Sequence, residues 1–126
     1  MINLIANNGY AFTPHLIKDG TSNKKDINLS QSIWAYLNHS MWKVVNENSG
    51  TGRNAYIDNA VVRGKTGTAE NPHGDAHSWF SGYIINENLK KMSVVIMIEN
   101  GGRGSGVASN IAKELFYYFS VSKKWN

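Results

Sequence analysis

Residues 60–83 read "AVVRGKTGTAENPHGDAHSWFSGY". The stretch enters on Val61 and Val62, passes through Gly64-Lys65-Thr66-Gly67-Thr68, and turns over Asn71, Pro72 and Gly74. It leaves through Trp79, Phe80 and Tyr83. β-Branched and aromatic runs on either side of turn chemistry predict two strands, the first leading from Val61-Val62 into the lysine segment and the second over 78–85. Side chains alternate between the faces of a strand, so Thr66 and Thr68 point to one side and can present two hydroxyls to one anion. Gly67 removes a side chain between them and lets another backbone lie close. Lys65 adds positive charge at the same place. Such a strand suits a carboxylate-bearing peptide bound as an extra strand on a sheet edge. A backbone N–H there can also stabilise an oxyanion. On these residues alone, a plain strand running into a turn fits equally well.

Working outward, Met92–Ile98 is the most apolar segment and predicts a third strand, joined to the second through Asn86-Glu87-Asn88. Glycines 101, 102, 104 and 106 form a loop. A last helix follows, with Val107, Ile111, Leu115 and Tyr118/Phe119 spaced along one face. Toward the N-terminus, residues 2–7 read as the tail of a helix stopped at Asn8-Gly9. Residues 10–17 read as irregular and extended, because Pro14 pushes Thr13 out of helical geometry. Residues 19–28 read as a loop or loose hairpin. A helix spans roughly 30–46, with Ser30 as N-cap and Ile33, Trp34, Leu37, Met41, Val44 and Val45 on one face. Ser49-Gly50-Thr51-Gly52 ends it, and 53–60 holds a short helical turn. The expected class is α/β of the α+β type: a three-stranded antiparallel sheet with packed helices, the last of them C-terminal.

The chain has 126 residues, 41% of them hydrophobic, enough for one globular domain. No run approaches the roughly 20 apolar residues of a membrane span. The first residues lack the basic start of a secretory signal, so no anchor or export signal is expected within this sequence. There is no cysteine, which excludes disulfides, thiolate metal sites and a cysteine nucleophile. The formal net charge is +4, but Lys24-Lys25, Lys90-Lys91 and Lys123-Lys124 are separate pairs. A nucleic-acid partner, which wants one continuous basic face, is not expected.

Gly101-Gly102-Arg103-Gly104-Ser105-Gly106 follows a strand and opens a helix, yet it matches no phosphate-loop spacing. A strand-to-helix turn, with Ser105 capping the helix, is the favoured reading. His73, Asp75 and His77 alternate, but no fourth ligand lies nearby, so a surface or structural role is preferred to a metal. No cofactor is expected.

The lysine stretch, "GKTGTAENPHGDAHSWFSGY" at 64–83, resembles the Lys-Thr-Gly box of the penicillin-binding transpeptidase and serine β-lactamase superfamily. "IANNGYAFTPHLI" at 5–17, "MWKVVNENSGTGRNA" at 41–55 and "VVIMIENGGRGSG" at 94–106 resemble further landmarks of the same domain, in the same order. The series is most similar to class B penicillin-binding proteins of the elongation type. The resemblance implies a partial penicillin-binding transpeptidase fold, with residues 1–126 as the C-terminal portion of the domain. It implies D,D-transpeptidation: cross-linking of peptidoglycan stem peptides ending in D-Ala-D-Ala, through an acyl-serine that β-lactam antibiotics also form. In that family Lys65 tunes the electrostatics and proton relay. Thr66 and Thr68 hold the terminal carboxylate, Gly67 permits close approach, and the Thr68 backbone N–H forms half of the oxyanion hole. The resemblance further implies elongation-machinery membrane proteins as partners, and the extracytoplasmic side of the bacterial inner membrane, through an N-terminal anchor that this sequence does not contain.

The family also carries a Ser-x-x-Lys nucleophile motif and a Ser-x-Asn motif upstream. No Ser-x-Asn occurs here. Ser22–Lys25, Ser40–Lys43 and Ser120–Lys123 have the Ser-x-x-Lys spacing. The first falls in a polar loop, the second inside a helix, and the third downstream of the box. None is expected to be the nucleophile, so the chain alone is expected to be inactive. Two alternatives share the box: a non-catalytic binding module for peptide carboxylates, and a fragment of a serine β-lactamase.

Overall fold

A computed structural model describes residues 1–17 and 20–121. A short helix α1 (Ile2–Ala6) stops at Asn8 and Gly9, whose φ angles are 53° and 117°. This is the left-handed stop that Asn-Gly chemistry predicts. Strand β1 (Tyr10–Phe12) then pairs antiparallel with β2 (Lys24–Asp26), so the loose hairpin forms, although Lys18 and Asp19 lie outside the described residues. Helix α2 (Gln31–Asn46) follows. Ser30 precedes it in extended geometry, but its hydroxyl pairs with Ser32 Oγ at 2.9 Å and caps no helical N–H. A 3-10 turn at Arg53–Ala55 fills the short helical segment.

The sheet is built from three consecutive strands: β3 (Val61–Ala69), β4 (His77–Ile85) and β5 (Lys91–Ile98), in the order β3-β4-β5 and antiparallel throughout. Thr66 lies opposite Phe80, and Phe80 opposite Ile96. Gly64 is the register partner of Gly82. A Cβ on Gly64 would stand 2.3 Å from Phe80 Cζ, so the ring occupies the space that the glycine leaves.

Helix α3 (Val107–Val121) covers the sheet face that carries Val62, Phe80, Ile84 and Ile96. The ring centroids of Phe80 and Phe116 are 6.3 Å apart, edge to face. The buried face of this helix differs from the one its periodicity predicts. Ala108, Ala112, Phe116 and Phe119 point into the core, while Val107, Leu115 and Tyr118 are exposed. Only Ile111 and Phe119 of the expected set pack on the core. Two alanines let the helix axis approach the sheet, and the space they leave takes the two phenylalanines. In α2, Trp34, Met41 and Val45 are buried as expected, but Ile33 is exposed.

The second sheet face is joined to α1 and α2 by polar links. The Tyr83 hydroxyl donates to Asn38 Oδ1 and accepts from Arg63 Nη1 at 3.1 Å. Asn38 Nδ2 donates to Asn8 Oδ1 at 2.8 Å. Burial pushes the Tyr83 hydroxyl pKa up, against the pull of the Arg63 hydrogen bond and charge.

Candidate active-site strand

Strand β3 is an edge strand, and what lines its free edge decides what can bind. The Val62 carbonyl accepts from Asn46 Nδ2 at 2.8 Å. The Thr66 carbonyl accepts from Lys65 Nζ at 2.5 Å. In an antiparallel ladder the N–H and C=O of one residue point to the same side, and that side alternates. The N–H and C=O of Thr68 therefore point off the same free edge. The edge as far as Thr66 is covered by α2, its following loop and the Lys65 ammonium; beyond it Gly67 and Ala69 are half-buried and Thr68 is exposed.

Alternation places Thr66 and Thr68 on one face, as expected, and Lys65 and Gly67 on the other. Thr66 is buried and its Oγ1 pairs with Thr51 Oγ1 at 2.8 Å. Thr68 is exposed, and its Oγ1 accepts the Gly104 N–H at 3.1 Å. Each arrangement leaves a proton to donate. A hydroxyl that accepts still has its own O–H free, and of the Thr51–Thr66 pair one member must accept. Two hydroxyls thus stand beside the edge-facing N–H of Thr68, with the Lys65 ammonium folded onto the strand from the opposite face. This set matches an anionic carboxylate next to a developing oxyanion.

The glycine loop acts as a buttress for this strand. Gly102 N donates to Ala76 O at 2.7 Å, and Ser78 Oγ donates to Arg103 O at 3.0 Å. Ser109 Oγ donates to Gly104 O at 2.7 Å. A Cβ on Gly104 would stand 2.1 Å from Gly67 O, so the loop lies directly on the Lys-Thr-Gly backbone. With the Gly101, Gly102, Gly104 and Gly106 amides all bonded within the chain, the loop has little left for a phosphate. Among the described residues Ser105 caps no helical N–H. Ser78 takes that part, its Oγ accepting the Ala108 N–H at 3.3 Å from across the sheet.

Thr51 and Gly104 were not singled out from the sequence as site residues. Both sit in segments whose only local signal is turn chemistry, and their contacts are made 15 and 36 residues away. Ser40 is half-buried within α2 and lines an apolar cleft of about 660 Å³ on the Lys65 face, bounded by α1, α2 and the sheet. Lys43, three residues on, pairs instead with Glu47 at 3.5 Å. Of the other two Ser-x-x-Lys strings, Ser22 donates to Thr13 O at 2.7 Å, and the far end of Ser120–Lys123 lies outside the described residues. The Lys123-Lys124 pair lies outside them too. His77 Nδ1 accepts the Asn100 N–H at 3.0 Å, and among the described residues no group of three or more His, Asp or Glu side chains is placed to hold a metal.

Comparison with known proteins bears on this strand directly. The chain is 33% identical to the peptidoglycan D,D-transpeptidase MrdA of Haemophilus influenzae, over 92% of its own length and 22% of the relative's. Its fold superposes on the crystal structure of Pseudomonas aeruginosa PBP2 in complex with WCK 5153, with a TM-score of 0.77 and 28% identity. That match covers 99% of this chain and 29% of the other. It also superposes on the D,D-transpeptidase domain of a peptidoglycan glycosyltransferase from Eggerthella lenta, with a TM-score of 0.71 and 30% identity, covering 96% of this chain and 30% of that one. The chain thus spans less than a third of the length of these relatives. The family pattern of the penicillin-binding protein transpeptidase domain matches residues 1–117, a span that includes the edge strand, its buttressing loop and most of the last helix. By that match, the chain belongs to the penicillin-binding protein transpeptidase domain family.

Proposed function

We propose that this chain supplies the substrate-binding strand of a serine-type peptidoglycan D,D-transpeptidase. The observation that carries the reading is the far half of β3, where two hydroxyls and the Thr68 N–H meet in a chain of this family. In this reading a stem peptide ending in D-Ala-D-Ala docks as an added strand. Thr66 and Thr68 hold its terminal carboxylate, and Gly67 leaves room for its backbone. The Thr68 N–H stabilises the oxyanion, and Lys65 sets the local field and relays protons. β-Lactam antibiotics occupy the same edge through their own carboxylate. The attacking serine comes from the part of the domain that the relatives have and this chain does not span. Ser40 is unsuited to the role, since it lies inside a helix.

The parent protein of this reading works on the extracytoplasmic side of the bacterial inner membrane, beside membrane proteins of the elongation machinery. No described helix of this chain is long and apolar enough to cross a membrane.

The test is binding by surface plasmon resonance on the immobilised chain, with Nα,Nε-diacetyl-L-Lys-D-Ala-D-Ala as probe and its L-Ala-L-Ala isomer as control. Saturable binding of the D,D peptide is expected, and the double variant Lys65→Ala/Thr66→Ala should lose it. Binding that ignores either change overturns the reading. Intact mass spectrometry after incubation with benzylpenicillin should show no adduct; an acyl group on Ser40 would overturn the assignment of the nucleophile to another segment.

A further inference from the structure

Arg63 lies on β3 ahead of the Lys-Thr-Gly residues, and the function above makes no use of it. It is half-buried, yet it has no carboxylate partner: the ion pairs among the described residues are Lys24–Asp26 and Lys43–Glu47. Its Nε is enclosed and has no hydrogen-bond partner among them either. A guanidinium drawn partly out of water calls for an anion.

The hydrogen bonds that start at Arg63 run in a single direction. Arg63 Nη1 donates to the Tyr83 hydroxyl at 3.1 Å, that hydroxyl donates to Asn38 Oδ1, and Asn38 Nδ2 donates to Asn8 Oδ1 at 2.8 Å. Asn38 Nδ2 also meets the carbonyls of Ile5 and Trp34, so this amide has no donor to spare. Both amide oxygens are thus consumed inside the series. The groups left over at its two ends are donors: the remaining guanidinium N–H groups of Arg63 and the Nδ2 of Asn8.

Both ends line one open cavity of about 580 Å³, which α2 bounds with Asn38, His39 and Trp42. His39 and Trp42 stack with their ring centroids 6.0 Å apart, and bring a ring N–H and an indole N–H to the cavity wall. No carboxylate lines it. A ligand complementary to this wall is an anion rich in acceptors. The donors come from three elements: the turn after α1, helix α2 and strand β3. Acceptor oxygens pointing in several directions suit them, as the three of a phosphoryl group do, whereas a planar carboxylate offers two.

We infer that this cavity is a phosphoryl-binding site, in which Arg63 and Asn8 hold the phosphoryl oxygens. The site is separate from the docking edge, since no residue from Lys65 to Ala69 lines it.

The test is titration of the full chain with inorganic phosphate, followed by ¹H–¹⁵N spectra at constant ionic strength, with acetate as the competing anion. Saturable shifts are expected at Asn8, His39, Trp42 and Arg63, and acetate should bind at least about threefold more weakly. Arg63→Gln should weaken phosphate binding roughly tenfold, the loss of one charge-assisted hydrogen bond, while Arg63→Lys keeps the charge and should stay within about threefold. Asn8→Asp guards against misfolding of the Arg63 variants. It changes an exposed side chain, keeps the oxygen that Asn38 needs, and should abolish binding. Shifts that never saturate, an equal response to acetate, or binding that persists in both Arg63→Gln and Asn8→Asp would each overturn the inference. Glycerol 3-phosphate in solution and sedimentation with phosphatidylglycerol vesicles tell the source apart. Arg63-dependent binding of the first marks a soluble phosphomonoester, and of the second a lipid head group; if neither binds, the inference falls.

Discussion

Thr66 shows how much of the site depends on one hydroxyl pair. The side chain is 8% exposed, and its Oγ1 meets Thr51. Replacing Thr51 by valine keeps the shape and removes the partner, leaving a buried hydroxyl unpaired. The expected cost is about 1–3 kcal/mol of stability. Thr51→Ser should recover most of it. Chemical denaturation of the three forms checks this; equal midpoints for all three would show that the pair contributes nothing. The pair also marks where the sequence stops being readable. Alternation put Thr66 and Thr68 on one face from the sequence alone. That Thr51 would meet Thr66, and the Gly104 N–H would meet Thr68, depended on loops whose residues announce only a turn. Lys65 was legible as a cation on the right strand, whereas its fold-back onto its own neighbour's carbonyl was not.

At the scale of elements, every strand of the main sheet was legible, because β-branched and aromatic runs bounded by glycine, proline and asparagine leave few other choices. The last helix was legible as a helix but not in its rotation. Two apolar stripes run along it, one of alanines with phenylalanine and one of larger aliphatic residues, and periodicity alone favours the larger. Packing favours the smaller, because alanines admit the close approach that fills the core. The two rotations make opposite predictions. Phe116→Ala should cost about 3–5 kcal/mol, since Phe116 is wholly buried against Phe80. Leu115→Ala, at a side chain 44% exposed, should stay below about 1 kcal/mol. Unfolding midpoints in urea decide between them. A larger loss at Leu115 than at Phe116 would restore the rotation expected from the sequence.

For the whole molecule, large apolar side chains are exposed in several places. The cleft on the Lys65 face is apolar, the edge strand β5 exposes Val95 and Met97, and α3 shows Val107, Leu115, Tyr118 and Val121. The relatives carry more than twice as much chain again. Left to itself, the chain should therefore associate. An edge strand with exposed apolar side chains is a ready template for pairing with another copy. The net charge of +4 opposes this near neutral pH, and the opposition fades toward the isoelectric point of about 9.4. Sedimentation velocity should show mass rising with concentration over the micromolar range, more steeply at pH 9 than at pH 7. Val95→Lys with Met97→Glu places charges on the edge without touching the buried face of β5, so it should shift the distribution toward monomer. A chain that stays monomeric at both pH values and melts cooperatively would show that these faces need no cover. The open cleft beside Lys65 would then be a solvated groove.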